Sequence, residues 1–249
     1  MPIYSTTSEA GLQTLPASIR DASWPRIALV TPVFNSGRYI EQAIRSVLAQ
    51  GYPNLEYYIV DGGSTDGTID VIRKYEGAIS GWSSEPDQGM YDAINKGFAR
   101  TRGEIMGWIS ATDQLHLGGL LVVGGVFRDV AEAKWITGRP TWFSEEGMNV
   151  GVGTAAHWSR MRFLMGANRY IQQESTFWRR SLWEKAGGLL SAEYGPIGDF
   201  ELWVRFFRHA RLYPVDAIIG GYRKHSDSLS LQDPEARHRV RDEIIEAEL

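Results

Sequence analysis

The chain has 249 residues, of which 43% are hydrophobic and 22% charged, so a disordered or fibrous protein is excluded and a buried core is expected. Its 26 Lys and Arg against 30 Asp and Glu give a net charge of -4, which argues against a nucleic-acid partner bound through an overall positive field. The absence of cysteine excludes disulfides, thiolate metal sites and a cysteine nucleophile.

The sequence predicts neither a transmembrane helix nor a secretory signal. The longest nearly apolar stretch, Leu115 to Phe127, has 13 residues, short of the roughly 20 that a membrane-spanning helix needs. Met1 to Pro25 lacks both a basic start and a continuous apolar run. We therefore expect residues 1–25 to be a flexible lead-in.

From Arg26 onward, short apolar runs alternate with helical patterns, which is typical of β-α-β units around a parallel sheet. The run Arg26–Val33 predicts a buried strand, and apolar residues at helical spacing predict a helix over Ile40–Leu48. Further strands are predicted over 55–60, 78–83 and 104–109, with helices over 68–75 and 91–99 between them.

The second half, from Lys134 onward, is irregular and rich in aromatic residues, with one strong helical pattern that follows Asp199. Between Lys134 and Ala210 there are 10 Lys and Arg against 7 Asp and Glu, a local basic excess in an acidic chain. The charged segment Asp233–Leu249 predicts a peripheral C-terminal helix. We expect a single domain over 26–230, with halves 26–133 and 134–230, followed by this helix over 231–249.

Acidic residues follow predicted strands at their carboxyl ends, the edge where open α/β sheets bind ligands. Asp61 can accept an imide N–H from a nucleobase, although an aspartate that caps its own turn is the simpler interpretation of that residue alone. Asp113 can hold a divalent cation against a diphosphate, with His225 as a second ligand, or be an ordinary loop residue. Asp199 can cap its helix and also act as a general base.

Four stretches together resemble family-2 glycosyltransferases of the GT-A fold: Thr31–Asn35, Val60–Thr68, Ser84–Gly97 and Gly103–Ile109. The resemblance runs from about Arg26 to Ser230 and takes in 173–180, 198–203 and 222–225. It implies an α/β fold with a Rossmann-like, mostly parallel sheet flanked by helices and an acceptor-binding C-terminal half. It also implies an inverting hexosyltransferase that moves a sugar from a nucleotide-diphosphate sugar to an acceptor hydroxyl, of the type that assembles bacterial exopolysaccharide or lipopolysaccharide.

The resemblance also implies roles for individual residues. The nucleoside and ribose-diphosphate regions would be formed by Thr31, Pro32, Phe34, Asp61, Asp87, Asp92 and Lys96. Asp113 would hold Mn²⁺ or Mg²⁺ with His225 nearby, and Asp199 would be the catalytic base. The sequence departs from the family at two positions: Thr112 replaces the first acid of the metal motif, and Gly198 replaces the acid that usually precedes the base.

The basic second half favours an anionic acceptor, such as a polyprenyl-diphosphate-linked glycan at the inner face of the membrane. The protein would then be cytoplasmic with a peripheral membrane contact. Aromatic and basic residues of this half are the candidate contacts to the acceptor: Trp142, Phe143, Trp158, Trp178 and Trp183 for stacking on sugars, and Arg160, Arg162, Arg169, Arg179 and Arg180 for the anion.

Two other functions stay open. A sugar-phosphate nucleotidyltransferase also binds nucleotides on an α/β sheet, but it normally has a glycine-rich basic loop after the first strand, which Thr31 to Gly37 lacks. A non-catalytic sugar- or nucleotide-binding module is favoured by Thr112 in the metal motif.

Overall fold

The computed structural model describes residues 23–166, 170–226 and 234–249. Its strands are β1 Ile27–Val33, β2 Leu55–Asp61, β3 Gly81–Ser84, β4 Ile105–Trp108, β5 Gln114–Leu115, β6 Trp135–Thr137, β7 Thr141–Phe143, β8 Asn149–Val152, β9 Thr176–Arg179, β10 Leu212–Pro214 and β11 Gly220–Arg223. Its helices are α1 Ile40–Leu48, α2 Thr68–Arg73, α3 Met90–Arg100, α4 Gly119–Asp129, α5 Arg160–Leu164, α6 Arg180–Lys185, α7 Gly198–Phe207 and α8 Pro234–Glu248, with 3-10 helices at Gln173–Ser175 and Ala192–Ile197.

A seven-stranded sheet in the order β10-β6-β9-β4-β1-β2-β3 forms the centre of the molecule. Strand β1 pairs in parallel with β2 and β4, β2 with β3, and β6 with β10. Strand β9 runs antiparallel between β4 and β6. The predicted mostly parallel α/β sheet is confirmed. A second sheet, in the order β5-β11-β7-β8, adjoins it.

Alternating side chains of β1 enter two hydrophobic cores, one on each face of the sheet. Ile27 and Leu29 belong to the core that α1 covers, while Val30 belongs to the core that α3 and α7 cover. Helix α3 lies so close to β1 that a Cβ added at Gly97 would come 2.5 Å from a methyl group of Val30. Both faces of β1 are buried, which explains the continuous apolar run from which this strand was predicted.

Four tryptophans hold α7 against the sheet. Trp108, Trp135, Trp178 and Trp203 are each at most 1% exposed. The indoles of Trp108 in β4 and Trp203 in α7 stack with centroids 5.9 Å apart and an angle of 9° between their planes. Because Asp199 lies one helical turn before Trp203, this stacking determines where that carboxylate stands relative to the strand ends.

The C-terminal helix is not peripheral, contrary to the prediction. Ile244 and Ile245 of α8 are buried in the core beside α7. Glu248 forms ion pairs with Arg160 and Arg208. Because ion pairs also hold α8, only a few apolar residues are needed at its contact with the core. Its sequence therefore resembles that of an exposed, charged helix.

Several predicted segments fall outside the described residues, namely most of the lead-in (residues 1–22), Arg169, and the junction between the domain and α8 (227–233). Across the ranges that are described, no helix has both the length and the apolar character that crossing a membrane requires.

Candidate active site

A cavity of about 820 Å³ opens at the carboxyl ends of β1 and β4. Its wall is formed by the segments that follow β1, β3, β4 and β11, by the 3-10 helix Gln173–Ser175, by the first turn of α7 and by one face of α8. A cavity of this size is within the range of sites for small molecules and cofactors. The cavity lies at the edge of the sheet where the acidic residues predicted a ligand-binding site.

Four carboxylates from distant parts of the sequence line this cavity: Asp87, Asp113, Glu174 and Asp199. Burial raises the pKa of Asp113 to about 7 and that of Asp199 to about 6. Burial, followed by repulsion from Asp113 and then from Asp199, raises the pKa of Glu174 well above its usual value. The cavity therefore has an acidic wall that favours a bound cation or hydrogen-bond donors.

Asp113 is held in place by Arg223, a residue to which the sequence assigned no role. The backbone N–H of Arg223 donates to Asp113 Oδ1 at 2.8 Å, and its guanidinium Nε donates to the Thr112 carbonyl at 2.5 Å. The same guanidinium also donates to the Glu145 carbonyl and to Gln42 Oε1, both at 2.7 Å. A buried arginine is rare, but nothing in the sequence marks Arg223 as buried.

Both predicted metal ligands, Asp113 and His225, line the cavity. Among the described residues no group of three or more His, Cys, Asp or Glu side chains is arranged to hold a metal ion. A cation at Asp113 would therefore need most of its ligands from diphosphate oxygens and water. Mg²⁺ and Mn²⁺ accept such an oxygen-rich set, so the residues present fit a cation that binds together with the nucleotide.

Asp199 lies in the first turn of α7 and is half-buried at the cavity wall. It does not cap the helix as predicted, because Ile197 occupies the N-cap position. Its Oδ1 accepts hydrogen bonds from the Phe200 N–H at 2.8 Å and the Tyr91 hydroxyl at 3.4 Å. The contacts that are described leave Oδ2 of this carboxylate available to a ligand.

The same tyrosine accounts for the glycine that precedes Asp199. A Cβ added at Gly198 would lie 2.7 Å from the Tyr91 ring and 3.0 Å from the Ser191 carbonyl. An acidic side chain at this position would collide with both. Tyr91 thus occupies the space that an acidic side chain at position 198 would need, and its hydroxyl donates a hydrogen bond to Asp199.

The predicted nucleoside residues divide into two groups. Pro32, Phe34 and Asp87 line the cavity, and the Phe34 ring is 60% exposed. Thr31 does not line it, which corrects the prediction. Its side chain is fully buried inside the sheet, where Oγ1 lies 3.0 Å from the Tyr57 hydroxyl.

Asp61 also differs from the prediction, since it is fully buried and does not line the cavity. Its Oδ2 accepts from the Gly63 N–H, the Ser64 N–H and the Ser84 hydroxyl, and its Oδ1 accepts from the Ser64 hydroxyl. These four bonds use the acceptor capacity of a carboxylate. The simpler interpretation, an aspartate that holds its own turn, describes Asp61 in this structure.

Asp92 and Lys96 were predicted at the ribose-diphosphate region but form an ion pair on α3 outside the cavity wall. Their charged atoms are 3.1 Å apart, and Lys96 Nζ also lies 3.5 Å from Glu85. Asp92 accepts from the Gln88 N–H at 3.0 Å, and this bond, together with Lys96, lowers the pKa of Asp92. The pair secures the start of α3, next to Asp87, and leaves the cavity itself to other residues.

Most of the predicted acceptor contacts are structural. Of the five aromatic candidates Trp142 lines the cavity, whereas Phe143, Trp158, Trp178 and Trp183 are buried elsewhere. Arg179 and Arg180 donate to backbone carbonyls of Phe127, Ala133 and Gly103. Arg160 pairs with Glu248, and Arg162 is exposed away from the cavity wall. Composition does not distinguish a buried aromatic residue or a carbonyl-binding arginine from one that binds a ligand, which is why these four aromatic residues and these arginines were among the candidates.

The basic residues that do line the cavity come from the end of the chain. Arg237, His238 and Arg241 share one face of α8, and Lys224 follows β11. Arg237 lies near enough to Asp199 to lower the pKa of that carboxyl in part. The spacing of 237, 238 and 241 on one helical face was a signal available in the sequence.

The first part of the chain, which includes the Asp113 side of the cavity, matches a known family. Residues 28–121 fit the family model described as Glycosyl transferase family 2. Over this stretch the chain is similar to family-2 glycosyltransferases. The matched residues include most of β1, all of β2 and β4, and the loop of Asp113, so the part of the cavity at the strand ends lies within the matched stretch.

Two relatives and one solved structure extend the comparison. An uncharacterized glycosyltransferase of Mycobacterium tuberculosis is 29% identical over 189 residues, which are 74% of this chain and 69% of that protein. TuaG of Bacillus subtilis, named for teichuronic acid biosynthesis, is 36% identical over 93 residues, 36% of this chain and 37% of TuaG. The structure of S. aureus TarS 1-349 in complex with UDP-GlcNAc superposes with a TM-score of 0.73 at 18% identity, and the match covers 90% of this chain and 66% of that one. The fold is therefore GT-A.

Proposed function

We propose that the protein is an inverting glycosyltransferase that transfers a sugar from a nucleotide-diphosphate sugar to an acceptor hydroxyl. The observation that carries the proposal is the presence of Asp113 and Asp199 in the wall of one cavity. A transferase of this kind needs one group that binds the leaving diphosphate through a cation and another that removes a proton from the acceptor. The similarity to family-2 glycosyltransferases supports the same reaction.

The donor would bind with its nucleoside at the strand ends and its diphosphate near Asp113. Pro32 and Phe34 offer apolar surface to a base, and Asp87 is placed to accept from a ribose hydroxyl. Lys224 and His225 follow β11 on the same cavity wall, where they would approach the phosphates. TarS binds UDP-GlcNAc, which supports a uridine nucleotide as the donor here.

The transfer would be a single displacement. Asp199 accepts the proton of the acceptor hydroxyl while that oxygen attacks the anomeric carbon and the bond to the diphosphate breaks. Its pKa of about 6 leaves it ionised at neutral pH yet basic enough to take the proton. Tyr91 and the Phe200 N–H hold its Oδ1. A divalent cation at Asp113, Mn²⁺ or Mg²⁺, would neutralise charge on the departing diphosphate.

The acceptor would be a glycan linked to a polyprenyl diphosphate. Arg237 and Arg241 of α8 face the cavity, and the Nε atom of Arg237 is buried without a hydrogen-bond partner among the described residues. Buried cationic donors are well suited to phosphate oxygens. Such an acceptor implies a cytoplasmic enzyme in peripheral contact with the inner face of the membrane, and the name of TuaG supports a role in cell-surface polysaccharide assembly.

A panel of nucleotide sugars tests the proposal. Thermal unfolding with UDP-glucose, UDP-N-acetylglucosamine and GDP-mannose, with and without Mn²⁺, should show a higher melting temperature for at least one donor, and more so with the metal. Hydrolysis or transfer of that donor should then stop on addition of EDTA. Binding without any turnover would favour a non-catalytic module, and synthesis of a nucleotide sugar from a sugar phosphate would favour a nucleotidyltransferase.

A further inference from the structure

Glu174 is a buried carboxylate in the cavity wall to which neither the sequence nor the proposed reaction gives a role. It is 4% exposed and lies in the 3-10 helix Gln173–Ser175 that leads into β9. Its Oε1 has no hydrogen-bond partner within the part of the chain that the structure describes. A buried polar atom without a partner is costly in free energy, so its presence at a cavity wall points to a bound group.

The backbone around Glu174 is fixed by close contacts. A Cβ added at Gly220 would lie 2.1 Å from the Glu174 carbonyl oxygen, so the strand β11 approaches as closely as a glycine allows. Ser175 Oγ donates to the Gly220 carbonyl at 2.6 Å, and Gln173 Nε2 donates to the Trp108 carbonyl at 2.5 Å. The side chain of Glu174 is therefore presented to the cavity from a rigid support.

Glu174 lines the same cavity as the two carboxylates that the proposed reaction uses. Repulsion from both Asp113 and Asp199 reaches it there. If Asp113 holds the diphosphate and Asp199 faces the attacking hydroxyl, the transferred sugar must occupy the space between them. Its anomeric carbon is bonded to the diphosphate and is the atom that the hydroxyl attacks. A carboxylate on the wall of this cavity, with an oxygen that has no partner, is suited to contact that sugar.

We propose that Glu174 recognises the transferred sugar by a hydrogen bond between its Oε1 and a hydroxyl group of the sugar ring. This assignment rests on the proposed function and names the residue that selects among donor sugars. Glu174 changes no covalent bond in the reaction. Its contribution is to binding of the sugar part of the donor and not to binding of the nucleotide.

Two substitutions separate this role from the alternatives. Glu174→Met keeps the length of the side chain and removes the hydrogen bond, and Glu174→Gln keeps a hydrogen-bonding group but removes the acid. We expect Glu174→Met to weaken the Kd of the best-binding nucleotide sugar of the panel by about tenfold or more, with the Kd of the matching UDP or GDP unchanged within about twofold. Glu174→Gln should retain most of the affinity for the nucleotide sugar. Glu193→Gln, at an exposed position outside the cavity, is the control.

The outcomes are distinguishable by calorimetric titration with Mn²⁺ present. Equal loss of affinity for the nucleotide sugar and for UDP or GDP would overturn the assignment and indicate a role toward the diphosphate or its cation. Glu174→Gln as damaging as Glu174→Met would overturn it in favour of an acid–base or ligand role. Unchanged affinity in both variants would remove Glu174 from the sugar site. If the wild type binds none of the nucleotide sugars, the proposed function itself fails.

Both variants should fold, because Oε1 of Glu174 has no partner to lose among the described residues and each substitution removes a buried acid. Their melting temperatures without ligand are expected at or above that of the wild type. A second readout compares two ligands on the same protein, so a general loss of affinity in the variant cancels. A deoxy analogue that lacks the recognised hydroxyl should bind the wild type about tenfold more weakly than the donor does, and should bind Glu174→Met as tightly as the donor does. Equal discrimination by both proteins would contradict the hydrogen bond.

Discussion

Asp113 and Arg223, 110 residues apart in sequence, are joined by a 2.8 Å hydrogen bond from the Arg223 N–H to the Asp113 carboxylate. The Arg223 guanidinium also binds the carbonyl of Thr112, the residue that replaces the first acid of the metal motif. The loop that carries the remaining acid is thus held from β11, the strand that leads to His225.

Arg223 should be important for stability. In Arg223→Met the carbonyls of Thr112 and Glu145 and the side chain of Gln42 lose a buried donor, and we expect the free energy of unfolding to fall by about 3 kcal/mol. Urea denaturation measures this change. The control is Arg73→Met, at an exposed i,i+3 ion pair, which should cost less than about 0.5 kcal/mol. Equal losses in the two variants would contradict the role of Arg223.

Asp113 should carry the metal dependence of donor binding. We expect Asp113→Asn to abolish the part of the nucleotide-induced rise in melting temperature that requires Mn²⁺, since an amide is a poor ligand for a divalent cation. Asp216→Asn is the matched control, because the side chain of Asp216 is 82% exposed and lies outside this cavity. An unchanged response to Mn²⁺ in Asp113→Asn would place the metal elsewhere.

The pKa of Asp199 predicts how activity depends on pH. Burial raises that pKa to about 6, and a general base must be deprotonated, so the rate should fall as the pH is lowered through about 6. The measurement is the pH profile of kcat/KM for transfer. A profile that stays flat down to pH 5 would exclude a base with this pKa.

The raised pKa of Asp199 makes stability depend on pH in the opposite direction from activity. A folded-state pKa above the unfolded value means that the native protein holds the proton more tightly, so Asp199 stabilises the fold at low pH and this contribution is lost as the pH rises from about 4 to 6. Asp199→Asn removes the titration. The melting temperature of the wild type relative to that variant should therefore rise when the pH is lowered from 7 to 5. A difference that does not depend on pH would contradict the raised pKa.

Helix α8 should contribute to acceptor binding and not to donor binding. With the donor site saturated by UDP and Mn²⁺, Arg237→Met should weaken binding of farnesyl diphosphate, a short polyprenyl diphosphate, by about tenfold. The affinity for UDP should be unchanged. Arg239→Met is the control, since Arg239 is exposed on α8 outside the cavity wall. Equal effects of the two substitutions would indicate general electrostatic attraction instead of a site.

The sequence predicts the sheet and the position of the cavity well, and the cavity's wall less well. Strands such as β1 are predicted because both of their faces are buried, and the acids at their ends are predicted to converge because parallel strands end at one edge. Asp61 and Thr31 were misjudged because a sequence does not reveal which acceptors a turn has already satisfied. Glu174 was overlooked because its distance from Asp113 and Asp199 depends on how β9 enters the sheet.

The role of Asp199 as the general base is tested most directly by the transfer rate of Asp199→Asn, measured together with its affinity for the donor. We expect the variant to bind the nucleotide sugar and Mn²⁺ as the wild type does, while transfer to the acceptor falls by about 10²- to 10⁴-fold, the usual contribution of a general base. Turnover at the wild-type rate by a correctly folded Asp199→Asn protein would contradict that role.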